Sequence, residues 1–158
     1  MRGSLNFRVQ RREVGMDIEQ VEDRDIEWVA QNVSVIAVVG LSPNESRPSW
    51  GVARYLQAKG KTIIPVNPGH AGHDILGCKV YARLADIPKD AGVQMVDIFR
   101  QSSAVAGIVD EALEQLPDLK VIWTQLGVRD DTSARKASRA GIMVVQDRCP
   151  KIEFPEFL

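Results

Sequence analysis

The chain has 158 residues, 44% hydrophobic and 26% charged, as expected for one globular domain with a sizeable core. Its net charge of -1 supplies no global basic field for DNA or RNA. No apolar run approaches the roughly 20 residues that span a bilayer, and the first fifteen residues lack the apolar segment of a signal peptide. Cys78 and Cys149 are not spaced for zinc and read as reduced thiols of a cytoplasmic protein.

Residues 1–15 carry Arg2, Arg8, Arg11 and Arg12 with little apolar periodicity. They read as a flexible extension, which leaves 16–158 as the domain. Asp17 to Asn32 reads as a helix with Ile18, Val21, Ile26 and Val29 on one face. Strands are expected at 34–39, 62–66, 94–99, 120–124 and 142–146. Helices are expected at 49–59, 102–116 and 131–140, with a short turn at 84–87. Gly60 and Gly141 follow two of the helices as C-terminal stops. The strands are apolar on both faces, which suits a parallel sheet covered by helices on both sides. The expected fold is therefore α/β, a Rossmann-like three-layer sandwich with a five-stranded parallel sheet. Right-handed crossovers suggest the strand order 3-2-1-4-5, with the switch point between the first and fourth strands.

Ligands of such sheets lie beyond the carboxyl ends of the strands. After the first strand, Gly40, Leu41 and Ser42 form a turn that leads into a helix. A glycine turn before a helix start presents free N–H groups and positive dipole to an anion. Ser42, Ser46 and Ser49 add hydroxyls, and Arg47 adds a forked cation suited to phosphate. Ser49 alternatively serves as the helix N-cap. The dinucleotide fingerprint G-x-G-x-x-G is absent. After the second strand, Asn67 stands where an NAD-binding fold places an acid for the ribose, and Pro68 follows it. Lys59 and Lys61 lie near enough in sequence to reach a phosphate, or serve only as dipole partners of the helix end.

After the third strand, Phe99 suits a cover over a base and Arg100 a phosphate contact, while Ser102 or Ser103 suits a cap for the next helix. Asp97, inside an apolar strand, reads as a buried, hydrogen-bonded carboxylate rather than a catalytic one. Gln125 and Gly127 follow the fourth strand. Cys149 is the one candidate nucleophile but has no basic partner nearby in sequence, so a structural thiol is favoured. His70 and His73, without acids or thiols alongside, make a weak metal signal.

The blocks Val38-Val-Gly-Leu-Ser42, Arg47-Pro-Ser49, Val52-Ala-Arg-Tyr-Leu56, Ile64-Pro-Val-Asn-Pro68, Leu76-Gly77, Asp97-Ile-Phe-Arg100, Gln125-Leu-Gly127 and Asp147-Arg-Cys-Pro-Lys151 resemble the small single-domain CoA-binding proteins of bacteria. That family is similar to the CoA-binding domain of the succinyl-CoA synthetase α subunit. The resemblance spans residues 25 to 153. It implies coenzyme A, or an acyl-CoA, lying across the strand ends. Gly40, Leu41 and Ser42 would then form the pyrophosphate turn, with Arg47 and Ser49 on phosphate. Asn67 and Pro68 would border adenine and ribose, Phe99 and Arg100 would flank the cofactor, and Gln125 and Gly127 would approach the pantetheine arm. The synthetase's phosphohistidine domain has no counterpart in this chain, so the resemblance implies binding rather than ligase chemistry, and no catalytic residue is assigned. The alternatives are an NAD(P)-type enzyme and a redox protein in which Cys149 pairs with the CoA thiol. The N-terminal segment and the C-terminal Phe154-Pro-Glu-Phe-Leu158, read as exposing phenylalanine and leucine, suggest packing on a second copy or another protein.

Overall fold

The computed structural model describes residues 21–158. The expected extension over 1–15 and the start of the first helix, including Ile18, lie outside the described residues.

Helix α1 (Asp23–Asn32) opens with the Asp25 carboxylate accepting the Glu22 N–H at 2.9 Å. That bond satisfies a donor that the helix itself leaves free. Strand β1 (Val35–Val39) leads to helix α2 (Pro48–Ala58), and β2 (Thr62–Val66) follows. A hairpin, β3 (Asp74–Ile75) and β4 (Cys78–Lys79), comes next. Strand β5 (Met95–Ile98), helix α3 (Val105–Gln115), strand β6 (Val121–Thr124), helix α4 (Asp131–Arg139) and strand β7 (Met143–Val145) complete the alternation, and the short helix α5 (Pro150–Glu153) closes the chain. The five expected strands are all present within a residue or two of their expected ends.

The main sheet is parallel throughout, in the order β2-β1-β5-β6-β7. The Rossmann-like α/β architecture stands, but the expected order 3-2-1-4-5 does not. The strand at 95–98 lies beside β1, not outside β2. The reason is the 28-residue stretch between them. It contains no crossover helix, only the hairpin and short 3-10 turns, and at Tyr81 it touches the outer edge of β2 in a single parallel bridge. Tyr81 donates to the Pro65 carbonyl at 3.0 Å and accepts from the Asn67 N–H at 2.9 Å. This one-residue remnant occupies the outer place, so the next full strand crosses to the other side of β1. The switch point consequently lies between β1 and β5, next to Gly40 and Phe99.

Alternation along each strand divides the core into two layers. Ile36, Val38, Met95, Val121, Trp123, Met143 and Val145 face α1, α2 and the C-terminal segment. Ala37, Val39, Val96, Ile98, Ile122 and Val144 face α3 and α4. The hairpin escaped the sequence reading because its two-residue turn is Leu76-Gly77, with φ of 53° and 74°. Such turns favour Asn or Gly at both positions, and leucine gives no such signal. Gln57 holds the Leu76 carbonyl at 3.0 Å.

The C-terminus corrects a further expectation. Phe154 is fully buried rather than exposed, because α5 turns it back against Trp123 with ring centroids 5.5 Å apart, edge to face. Of the apolar residues in this segment, Phe157 is half-buried and Leu158 is exposed. Phe154→Ala should therefore cost about 3–5 kcal/mol, the range for deleting a large buried side chain. Urea unfolding measures it, and a loss below about 1 kcal/mol would show that the C-terminal segment is not part of the cooperative core.

Candidate functional site at the carboxyl ends of the strands

The site is built around one turn. Gly40 has φ of 87°, a region that favours glycine, and its N–H donates to the Val66 carbonyl at 2.8 Å. A Cβ at this position would lie 2.5 Å from the Phe99 carbonyl oxygen and 3.1 Å from Cδ of Arg100. The ends of β1, β2 and β5 thus converge where only glycine fits.

Leu41 is fully buried beneath the turn. Its carbonyl accepts from the Asn67 side chain at 3.0 Å, while Asn67 Oδ1 accepts the Gly69 N–H at 3.0 Å. Asn67 therefore latches the β1 loop to the β2 loop, and its side-chain amide is engaged by protein. Pro68 follows as the first residue of a 3-10 turn, exposed to solvent.

The backbone N–H of Ser42 donates to Ser49 Oγ at 3.0 Å, and Ser42 Oγ accepts from the Asn44 N–H at 3.0 Å. Ser49 is buried and lies in the first turn of α2, one residue past Pro48. It is not the N-cap. Arg47 occupies that place with extended backbone, because proline needs no N–H at the first helical position. The Ser49 hydroxyl instead fixes the glycine turn to the helix start. Ser46 likewise closes a local turn on Asn44.

Arg47 and Arg100 are exposed, and no hydrogen bond or ion pair among the described residues engages either guanidinium. One stands at the start of α2 and the other lies across Gly40. The Lys151 ammonium lies 3.8 Å from where a Cβ of Gly51 would be, over the first turns of the same helix. Lys151 was not among the expected site residues, since only the fold of α5 against α2 brings it there. Phe99 is half-buried beside Gly40.

Gln125 extends β6, its N–H donating to the Ile98 carbonyl at 3.2 Å. Its side chain is 7% exposed, and Oε1 is buried without a partner among the described residues. Gly127 has φ of 80° and donates its N–H to Asp147 Oδ1 at 2.7 Å. Asp147 itself has φ of 57° and donates its N–H to Thr124 Oγ1 at 3.1 Å. Asp147 is a second shaping residue that sequence reasoning missed. Aspartate tolerates the left-handed region, so its residue type permits this role without announcing it.

Lys59, Lys61 and Ser102 depart from their expected places. Lys61 is not near the phosphate turn. Its ammonium donates to the carbonyls of Ala30 and Val33 at the far end of α1, and partial burial lowers its pKa. Lys59 lies over the Tyr55 ring at 5.9 Å. Ser102 does not cap α3 but accepts the Arg129 N–H at 3.0 Å. Cys149 is buried in the core, not presented to the loops, and both thiols are free. No cluster of three metal-ligating side chains occurs among the described residues, so His70 and His73 stand without further ligands. No helix among the described residues is long and apolar enough to cross a membrane.

Asp97 is buried as expected, at 0% exposure, but neither oxygen has a hydrogen-bond partner among the described residues. Val38 and Trp123 flank Asp97 in register on the neighbouring strands, and neither donates to it. Burial holds its pKa well above the usual carboxylate range.

A model of the CoA binding domain matches residues 34–155. The chain belongs to this family. The uncharacterised protein YneT of Bacillus subtilis is 34% identical over 128 residues, covering 81% of this chain and 90% of the relative. A solved structure of a hypothetical protein from Pyrococcus horikoshii has a TM-score of 0.80 at 30% identity, covering 87% of this chain and 93% of that one. A structure from Thermus thermophilus also has a TM-score of 0.80, at 31% identity over 87% of this chain and all of the other.

Asp97 makes stability depend on pH. The unfolded carboxyl releases its proton at about pH 3.9, the ordinary aspartate value, while the folded one holds it to much higher pH. Between these limits the folded chain binds more protons, so Asp97 lowers stability as pH rises from about 4. Asp97→Asn should therefore raise the Tm at pH 7 and leave it nearly unchanged at pH 4. A gap of equal size at both pH values would contradict this assignment.

Proposed function

We propose that this protein binds coenzyme A or an acyl-CoA across the Gly40 turn, as a non-catalytic binding or sensor module. The single observation that carries the reading is the filled cradle at Gly40. Arg47 stands at the start of α2 and the Arg100 side chain packs against the turn, with neither guanidinium engaged among the described residues. A helix start with its dipole and two forked cations suits a pyrophosphate. Family membership supports CoA over other phosphorylated ligands. On this reading Arg47 and Arg100 hold phosphate, Ser42 and Ser49 shape the turn, and Asn67 and Pro68 set the wall beside adenine and ribose. Phe99 flanks the ligand, and Gln125 and Gly127 line the path of the pantetheine arm. An NAD(P)-type site is disfavoured because Asn67 gives its amide to Leu41 and Gly69, and no acid stands in its place. The Cys149 redox reading is disfavoured by burial of the thiol in the core.

Calorimetric titration tests the function. Wild-type protein should bind CoA in preference to NAD and ATP. Arg47→Glu should weaken CoA by about tenfold or more, because a charge-assisted contact to phosphate is lost. Pantetheine, which has no phosphate, should change by less than about twofold. Equal losses for both ligands would remove Arg47 from the phosphate site.

A further inference from the structure

Three side chains have buried polar atoms without partners among the described residues: Tyr55, Asp97 and Gln125. Two of them share one face of the sheet. Asp97 pairs in register with Trp123 on β6, and Gln125 lies two residues further along that strand, still within the ladder. Residues two apart on a strand point to the same side, so Asp97, Trp123 and Gln125 line one face. Strand spacing and rise put the Asp97 and Gln125 backbones roughly 8 Å apart on the diagonal, a span their two side chains can bridge.

The two groups have matching needs. Asp97 presents two sealed oxygens, and Gln125 presents a sealed Oε1. The Gln125 Nε2 is not among the sealed atoms. An ionised carboxylate and an amide oxygen are both acceptors and cannot bond to each other. One proton on the carboxyl converts it into a donor and satisfies both residues. We infer that Asp97 is a neutral acid that donates to Gln125 Oε1, and that this pair positions the Gln125 amide to donate to the ligand at the switch point. Asp97 is a positioning residue; Gln125 makes the contact. The inference about the ligand rests on the CoA reading, whereas the inference about the pair does not.

The surroundings favour the neutral form. Burial alone acts on Asp97, with no contribution from a neighbouring charge. The elements over this face bury Ile26, Val29, Val52, Ala53, Leu56 and Phe154. Of their buried or half-buried side chains, those that titrate are Asp25, Tyr55, Cys149 and the paired Arg148 and Glu153. None of them donates a hydrogen bond to Asp97.

Two measurements test the pair and its role. Infrared difference spectra of wild type against Asp97→Asn at pH 7 should show one neutral carboxylic-acid carbonyl band, and Gln125→Ala should displace that band. No neutral-acid band would mean an ionised Asp97 with the amide reversed, and would overturn the proposal. A band that Gln125→Ala leaves unmoved would overturn it equally. In CoA titrations, Asp97→Val and Gln125→Ala should each weaken binding roughly fivefold, with the double variant no weaker than either. Asp97→Asn keeps a donor and should restore affinity to within about twofold of wild type. Wild-type affinity in Asp97→Val would show a merely structural acid. Should wild-type protein fail to bind CoA, the proposed function fails, and the infrared result alone still decides the pair.

Discussion

The close approach of three strand ends at Gly40 is the constraint on which the site depends. The backbone there passes between the Val66 carbonyl, which it bonds, and the Phe99 carbonyl, which fills the place of a side chain. Any larger residue must push β1 and β5 apart, and these are central strands of the sheet. The turn in turn sets the start of α2. Ser49 ties the helix to Ser42, Asn67 ties Leu41 to the β2 loop, and Arg100 lies across the top. What this arrangement offers is a floor of backbone with two long cationic side chains, Arg47 and Arg100, at its rim.

Polar groups near this floor divide into two kinds. Asn67, Ser42, Ser49 and Asp147 are satisfied by protein and act as latches between loops. The Arg47 and Arg100 guanidinium groups have no partner among the described residues. The division matters because residue type alone does not reveal it. A serine after a glycine turn serves either purpose, and only the direction of its hydrogen bond decides which.

The alternation of apolar runs with amphipathic segments made the layered fold legible, since parallel strands buried on both faces need little else to be recognised. The order of the strands was not legible. It turned on Tyr81, a one-residue bridge too short to carry any periodic signal. The rule that ligands lie at strand carboxyl ends singled out the glycine turn, Arg47 and Arg100, which the structure gathers at the ends of β1 and β5. Lys61 misled because nearness in sequence says nothing about which end of a strand a side chain serves. Lys151 and Asp147 were missed because they arrive from the last segment of the chain, through packing that no local pattern encodes. Phe154 was misread for the same reason, as terminal position was taken for exposure.

Amide chemical-shift mapping of the isotope-labelled protein with CoA tests the central claim most directly. CoA should perturb Gly40 to Ser42, Ser49 to Gly51, Phe99, Arg100 and Gln125 to Gly127 together, while the outer edge of β2 around Ile63 and Cys78 stays unmoved. Shifts confined to that outer edge, or scattered without a focus at Gly40, would contradict the assignment of the site.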